Sequence, residues 1–313
     1  MGINVLYLDK MNEPMERMIL DMCPPDVDLR FLQPNIGKKG TLEEAECLFD
    51  TTFQVTREVI DQVPKLKLIQ RTGVGVDMVD VAYAKEKNIP VSICRGFNSS
   101  SVAELAVLDM LALYRYIVDL TCLSRKKEWH TWTFRHESYE LLGKTIGIIG
   151  GGAIGREVMK RVSAFGTHLI YNDVVRMDEK MEKELGCEYV SFDELIERSD
   201  IISLHVPLLD STRGMIGAKQ FAQMKDTALL INTARGQLVD APALVDALKS
   251  KKIRGAAVDV FEPEDPLFGL EIDNLITTPH VGAATYDNYY RVYKFGLENA
   301  QRVAAGKEPL GCL

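Results

Sequence analysis

The sequence predicts an α/β protein built on two parallel β-sheets, each doubly wound with helices on both faces. Short apolar runs alternate with helical or turn-rich stretches in both halves of the 313-residue chain, and such alternation is typical of parallel sheets. Near the middle, an apolar β-branched run leads directly into closely spaced glycines and a helical pattern. The length leaves room for two domains, each with its own core.

Five apolar runs predict the strands of the first sheet. They are residues 3–8, 28–32, 47–49, 66–70 and 91–93. Much later, residues 284–305 form one amphipathic, tyrosine-rich helical pattern that we expect to return to this sheet. The first domain is therefore expected to be discontinuous and to comprise residues 1–98 and 286–313, with residues 99–285 forming the second domain.

Six further apolar runs predict the second sheet. They are residues 145–149, 168–171, 201–204, 227–231, 255–258 and 275–277. Six parallel strands complete a doubly wound sheet. Ligands of such sheets bind beyond the carboxyl ends of the strands, so polar residues that follow a strand are the first candidates for function.

The glycines after residues 145–149 have the spacing of a dinucleotide fingerprint. Gly150, Gly152 and Gly155 form G-x-G-x-x-G between a predicted strand and a predicted helix. The first glycine permits a tight turn, the second lets the backbone approach a pyrophosphate, and the third lets the helix lie close to the sheet. The second domain is therefore predicted to be a Rossmann domain with a pyrophosphate at the helix N-terminus.

Asp173 follows the second strand of this unit and predicts the choice of cofactor. A carboxylate at this position accepts hydrogen bonds from ribose hydroxyls and repels a 2′-phosphate, so NAD is favoured over NADP. Arg176 is the nearby cation that could weaken this preference, although a solvated loop charge is the simpler interpretation.

Composition excludes several classes of partner. The net charge of −8 and the pI near 5.3 argue against nucleic acid or an anionic membrane as a partner. The six cysteines form neither a C-x-x-C motif nor a cluster with histidine, so neither a metal site nor a disulfide framework is predicted. The longest apolar segment, residues 102–120, carries four charged residues and predicts a buried helix rather than a membrane span. The N-terminal residues lack a secretory signal pattern, which makes a cytoplasmic location the expectation.

Three ionisable residues follow successive strands of the second sheet and suggest chemistry. Arg235 can bind a substrate carboxylate and polarise a ketone oxygen through its planar fork of donors. His280 can donate a proton to that oxygen, and Glu264 can orient His280 and keep it protonated. Each residue alone has an ordinary structural interpretation. Together, beside a predicted nicotinamide site, they favour reduction of a 2-keto acid.

The sequence resembles the D-isomer-specific 2-hydroxyacid dehydrogenase family over essentially its whole length. The motifs that carry the resemblance are RTGVGVD (71–77), GFNSSSVAEL (96–105), GIIGGGAIG (147–155), SLHVPL (203–208), NTARGQLVD (232–240), DVFEPED (259–265) and TPHVGAAT (278–285). In fold, this implies a Rossmann domain inserted into a discontinuous flavodoxin-like substrate domain.

The resemblance also implies roles for individual residues. Arg235, Glu264 and His280 would be the catalytic residues. The backbone N–H groups of Val74, Gly75 and Val76 would bind the substrate carboxylate together with Arg235, and Gly73 and Gly75 would allow the turn that directs those groups at an anion. Contacts to NAD are implied for the glycine-rich turn and for Ala153, Ile154, Asp173, His205, Val206, Pro207, Thr233, Ala234, Arg235, Asp259, His280, Gly282 and Ala283.

Some residues depart from the family pattern or allow a second interpretation. Ala153 replaces a frequent polar residue and leaves only backbone contacts to the pyrophosphate. Asp50 lies where phosphoglycerate-type members tend to carry an arginine for the substrate phosphate. A phosphate near Asp50 would meet like charge, so we expect a small unphosphorylated substrate, although Lys38 and Lys39 could supply some positive charge. His205 is a weaker candidate catalyst than His280, because a buried structural histidine is equally consistent.

The predicted activity is hydride transfer between NAD(H) and a small D-2-hydroxy acid or 2-keto acid. Two alternatives remain open: a phosphoglycerate dehydrogenase type of activity, and a non-enzymatic NAD-sensing protein resembling the C-terminal-binding corepressors. A homodimer is also expected, because Trp129, Trp132 and Phe134 lie in a segment without a strong core pattern and would be exposed without a partner.

Overall fold

The computed structural model describes residues 2–261, 267 and 269–313. Within it the chain forms two compact units, Met1–Asn98 with Thr285–Leu313, and Ser99–Ala284. Both units are α/β with all strand pairs parallel, so the predicted fold class is confirmed. Among the described residues, no helix is both long and apolar enough to cross a bilayer.

The first unit contains a six-stranded sheet in the order β3-β2-β1-β4-β5-β6. Its strands are β1 (Ile3–Tyr7), β2 (Val27–Phe31), β3 (Lys38–Lys39), β4 (Cys47–Asp50), β5 (Leu68–Arg71) and β6 (Val91–Ser92), and its early helices are α1 (Glu13–Asp21), α2 (Arg57–Asp61) and α3 (Val81–Glu86). Only β3 was absent from the predicted strands. It is two exposed lysines long, so it carries no apolar pattern.

The second unit contains a seven-stranded sheet in the order β13-β12-β11-β10-β7-β8-β9. Its strands are β7 (Thr145–Ile149), β8 (His168–Asn172), β9 (Cys187–Tyr189), β10 (Ile201–Leu204), β11 (Leu229–Asn232), β12 (Gly255–Val258) and β13 (Leu275–Thr277). The prediction of six strands was wrong by one, because β9 is a three-residue edge strand without a buried residue.

Helices cover both faces of the second sheet. They are α4 (Ser99–Arg115), α5 (Ile117–Arg125), α6 (Ala153–Ser163), α7 (Glu179–Leu185), α8 (Phe192–Arg198), α9 (Ala218–Gln223) and α10 (Ala241–Lys249). The single helix expected over 102–120 is broken at Tyr116, which has a left-handed φ of 49°. The Tyr116 ring stacks on Phe134 at 4.5 Å, and its hydroxyl donates to Glu137 (3.1 Å), so side-chain contacts fix this break.

The last helix, α11 (Tyr286–Ala304), packs on the sheet of the first unit. Thr285 caps it by accepting a hydrogen bond from the Asn288 N–H (3.2 Å). Val292, Tyr293 and Leu297 on its buried face join Tyr7 of β1 in one core, while Leu6 and Leu8 enter the core on the opposite face. This alternation along β1 shows that both faces of the sheet are covered.

Candidate active site

The glycine-rich turn joins β7 to α6, and two of its glycines are required sterically. Gly150 has a φ of 103°, and a Cβ there would lie 2.6 Å from the His205 carbonyl oxygen. A Cβ on Gly155 would lie 2.0 Å from the Gly150 carbonyl oxygen. The helix therefore lies directly on the turn, as the fingerprint predicts.

The N-terminus of α6 has room for a ligand. Gly152 is the N-cap residue, and no side chain caps the helix. A Cβ on Gly152 would meet no atom within 4 Å. Ala153 and Ile154 begin the first turn, whose N–H groups have no intrahelical partner. This uncapped end fits a pyrophosphate.

Asp173 lies beside this turn at the end of β8. Its Oδ2 accepts a hydrogen bond from the Gly151 N–H (2.6 Å), and its Oδ1 accepts one from the Val175 N–H (3.2 Å). A carboxylate has about four acceptor sites, so capacity for ribose hydroxyls remains. Arg176 turns to Glu182 instead, through two hydrogen bonds of 2.9 Å. Arg176 and Tyr171 lower the pKa of Glu182 to about 2, so this arginine is occupied by a surface ion pair.

The segment after β11 is organised by a buried asparagine. Asn232 donates through Nδ2 to the Arg235 carbonyl oxygen (2.9 Å) and accepts at Oδ1 from the Ala234 N–H (3.1 Å). Arg235 is half-buried, and its Nη1 donates to the Ala234 carbonyl oxygen (2.8 Å). The Thr233 Oγ1 is buried, and it has no hydrogen-bond partner within the part of the chain that the structure describes. A buried hydroxyl without a partner at this position fits a polar ligand.

Asp259 organises the loop after β13. Its carboxylate accepts from the Thr278 hydroxyl (2.6 Å), the Val281 N–H (2.7 Å) and the Gly282 N–H (2.8 Å). Its carbonyl oxygen accepts from the His280 N–H (2.7 Å). Asp259 is only 1% exposed. These contacts hold residues 278–282 in place. The sequence did not predict this positioning role for Asp259.

His280 lies on this loop with an exposed side chain and a left-handed φ of 54°. Left-handed backbone costs about 1–2 kcal/mol for a residue other than glycine, and residues held in such conformations cluster at functional sites. Ala283 follows, half-buried. Glu264, the predicted partner of His280, lies outside the described residues.

His205 follows β10 and is a structural residue in its contacts. Its ring Nε2 pairs with the Ser203 hydroxyl (2.8 Å), and its backbone N–H donates to the Ile149 carbonyl oxygen (2.7 Å). Burial lowers the pKa of His205 to about 3, so it is neutral near pH 7. Val206 lies half-buried against Gly150, and the exposed Pro207 accepts from the Thr212 hydroxyl (2.7 Å).

The loop of residues 73–76 follows β5 in the first unit. The Gly73 carbonyl oxygen accepts from the Cys94 N–H (3.0 Å), and the Gly75 carbonyl oxygen accepts from Arg71 Nε (2.9 Å). Gly73 does not take a left-handed φ, and a Cβ there would meet no atom within 4 Å. The expectation that Gly73 supplies unusual backbone freedom is therefore wrong, because the Cys94 N–H and the Arg71 side chain hold the loop.

Asp50 ends β4 and is fully buried, where its Oδ1 contacts Arg71 Nη1. Burial raises the pKa of Asp50 to about 7, and Arg71 acts in the opposite direction. The expectation that Asp50 directly repels a substrate phosphate is wrong, because its carboxylate faces Arg71 in the interior.

The comparison that decides the family is a match to a family model. Residues 107–282, more than half of the chain, match the D-isomer specific 2-hydroxyacid dehydrogenase, NAD binding domain. The chain belongs to the D-isomer-specific 2-hydroxyacid dehydrogenase family. The resemblance drawn from the sequence is thereby confirmed, and so is NAD as the cofactor.

Relatives of this dehydrogenase family extend the match to both units. A hydroxypyruvate reductase of Thermotoga maritima is 38% identical over 306 residues, which cover 95% of this chain and 97% of that protein. A D-3-phosphoglycerate dehydrogenase of Methanocaldococcus jannaschii is 39% identical over 309 residues, 97% of this chain, but the chain spans only 58% of that protein's length.

A solved structure shows the same fold with its ligands. The D-lactate dehydrogenase of Aquifex aeolicus, complexed with NAD and lactic acid, is 31% identical and superposes with a TM-score of 0.80. The alignment covers 97% of this chain and 96% of that chain. As a member of this family, the protein is an NAD-dependent oxidoreductase.

Proposed function

We propose that this dehydrogenase interconverts a small unphosphorylated 2-keto acid and the corresponding D-2-hydroxy acid, with Arg235, Glu264 and His280 as catalytic residues. In this proposal Met1–Asn98 with Thr285–Leu313 bind the substrate, and Ser99–Ala284 bind NAD. The observation that carries the proposal is His280, an exposed histidine held in a left-handed conformation by the buried Asp259. Such strain at a strand end is retained where a precise side-chain position is needed.

The proposed chemistry follows from the donors on the chain. Bound NADH supplies the hydride to the carbonyl carbon of the substrate. The His280 imidazolium donates its proton to the ketone oxygen, and neutral His280 accepts the hydroxyl proton in the reverse direction. Arg235 binds the substrate carboxylate and polarises the ketone, while the N–H groups of Val74, Gly75 and Val76 bind the carboxylate from their own loop. Burial keeps His205 neutral near pH 7, which makes it a weaker candidate for the acid than His280.

Substitution of His280 tests this assignment. His280→Ala is expected to lower turnover by roughly 100-fold or more, the usual contribution of a general acid, with NADH affinity little changed. His136→Ala, which removes an exposed histidine of the same unit, is the matched control and should leave both quantities unchanged. Near-normal turnover of His280→Ala would reject His280 as the acid.

Phosphoglycerate dehydrogenase activity is the second candidate, since two relatives with 39% identity carry that name. The charges of the first unit favour an unphosphorylated substrate. Arg71 is occupied by Asp50, and the Asp9 carboxylate binds the N–H groups of Thr51 (2.6 Å) and Thr52 (2.7 Å). This segment therefore presents a negative charge rather than a cation.

Specificity constants for hydroxypyruvate and its phosphorylated form, measured with NADH, decide between the two candidates. We expect a clear preference for the unphosphorylated acid. A preference for the phosphorylated one would establish the second candidate. The absence of turnover with any 2-keto acid would instead favour a non-enzymatic NAD-sensing protein.

We also propose a homodimer. Trp129 is 92% exposed and Trp132 is 75% exposed in the single chain, and Arg135 stacks over the Trp132 ring at 4.1 Å. Large exposed aromatic surfaces are uncommon on monomeric proteins. Sedimentation equilibrium should give twice the 35.1 kDa chain mass, and a fully active monomer would reject the proposal.

A further inference from the structure

Asp50 and Arg71 form a buried ion pair next to the loop of residues 73–76. They are the last residues of neighbouring strands β4 and β5, and they face each other in the strand register. Asp50 is 0% exposed and Arg71 is 6% exposed. The second carboxylate oxygen, Oδ2, has no hydrogen-bond partner among the described residues. The carboxylate therefore depends on Arg71 to offset its burial.

Stability alone does not explain such a pair. Removing two charges from water costs as much as their attraction returns, and well-packed apolar residues of similar volume are often at least as stable. Burial opposes ionisation of Asp50 and raises its pKa to about 7. The pair adds little stability, but it lies beside a candidate binding loop. We therefore expect an effect of the pair on that loop.

Arg71 links the ion pair to the orientation of the loop. Its Nε donates to the Gly75 carbonyl oxygen (2.9 Å), while the Cys94 N–H binds the Gly73 carbonyl oxygen (3.0 Å). In a trans peptide the C=O and the following N–H point in opposite directions. Because both carbonyls are held by these donors, the N–H groups of Val74 and Val76 point away from them. Neither N–H donates a hydrogen bond within the described part of the chain.

We propose that the buried Asp50–Arg71 pair is a positioning device that turns the Val74 and Val76 N–H groups toward the substrate carboxylate. Asp50 holds the guanidinium, and the guanidinium holds the Gly75 carbonyl. This inference rests on the proposed function, because it assigns the loop a carboxylate to bind. Neither residue is proposed to contact the substrate.

A double variant separates positioning from stability. Asp50→Asn with Arg71→Met removes both charges together and leaves no unpaired buried ion, so it is expected to fold. It also removes the hydrogen bond to Gly75. We expect KM for a small 2-keto acid to rise roughly 10- to 100-fold, the range for lost hydrogen bonds to a charged group. Turnover at saturation and the Kd for NADH should change by less than about threefold.

The first unit offers a matched control. Asp28 and Arg30 form another Asp–Arg pair of the same sheet at 2.8 Å, and neither contacts the loop of residues 73–76. Asp28→Asn with Arg30→Met should leave KM within about twofold. Arg71→Lys keeps a charge beside Asp50 but lacks the planar fork that reaches both partners. It should raise KM in the same direction, and it serves as the test if the double variant does not fold.

The outcomes are distinct. A folded double variant, or a folded Arg71→Lys, with the wild-type KM would overturn the positioning role. A parallel loss of turnover, NADH affinity and melting temperature would also overturn it, because a merely structural pair gives that result. Wild-type protein without turnover on any 2-keto acid would instead reject the proposed function, and this inference with it.

Discussion

The turn at residues 150–155 and the loop at residues 73–76 both follow a buried parallel strand, and both contain closely spaced glycines. In the first, backbone sterics enforce glycine: a Cβ would lie 2.6 Å from a carbonyl oxygen at Gly150 and 2.0 Å from one at Gly155. In the second, a Cβ on Gly73 would meet nothing within 4 Å. There Arg71 and the Cys94 N–H hold the carbonyls.

The loop of residues 278–282 resembles the second case. Its shape depends on Asp259, which accepts three hydrogen bonds from the loop through its carboxylate. The first segment is therefore fixed by backbone sterics, whereas the other two are held by the side chains of Arg71 and Asp259 and by the Cys94 N–H. Glycine spacing alone therefore does not identify the contacts that fix a loop.

The largest effect is expected for Gly155→Ala. The added methyl group overlaps backbone that cannot move away, so the free energy of unfolding should fall by about 3 kcal/mol, and NADH affinity should fall at least about 10-fold. Gly73→Ala, the paired substitution in the other loop, should change the free energy of unfolding by less than about 0.5 kcal/mol. Chemical denaturation and NADH titration of both variants measure this contrast, and similar losses of stability would abolish it.

Asp259→Asn tests the loop that depends on a carboxylate. One amide oxygen cannot replace two carboxylate oxygens, and the amide NH₂ would face an N–H donor. We expect the free energy of unfolding to fall by about 1–3 kcal/mol and turnover to fall through misplaced His280. Asp226→Asn, an exposed aspartate of the same unit, is the control. Steady-state kinetics that match the wild type would show that the loop keeps its shape without Asp259.

Low pH should reduce the free energy of unfolding through His205, whose carbonyl oxygen packs against Gly150. Because burial lowers the pKa of His205 from 6.5 to about 3, its contribution to stability is complete above pH 6.5. Below pH 6.5 the unfolded chain binds a proton at this histidine, whereas the folded chain does not until about pH 3. The contribution is therefore lost as the pH falls toward 3. By pH 5 the loss should reach ~2 kcal/mol. Denaturation of wild type and His205→Gln at pH 7.5 and pH 5 measures it, and an equal pH dependence of both proteins would contradict the assignment.

The smallest expected change concerns cofactor choice. Asp173→Ser removes the ribose acceptor and the hydrogen bond to Gly151, so KM for NADH should rise about 10-fold and NADPH should become relatively better. Arg176→Ala should leave the NADH to NADPH preference unchanged, because Arg176 is paired with Glu182. A strong shift with Arg176→Ala would mean that this pair opens when the cofactor binds.

Much of the fold follows from the sequence because apolar periodicity is a local property. The strand pattern predicted both parallel sheets, and the spacing of Gly150, Gly152 and Gly155 predicted the turn whose sterics the structure shows. The two missed strands, β3 and β9, are short edge strands, and short polar edges carry little apolar signal.

The fold class, the dinucleotide fingerprint and the family could be predicted from the sequence, because each depends on residues that lie close together along the chain. Only the tertiary structure showed that Asp50 faces Arg71, that Arg71 holds Gly75, and that Asp259 holds the His280 loop. These pairs bring together residues from different strands or loops, and their energies depend on burial. No local pattern encodes which side chain becomes the partner of which backbone group.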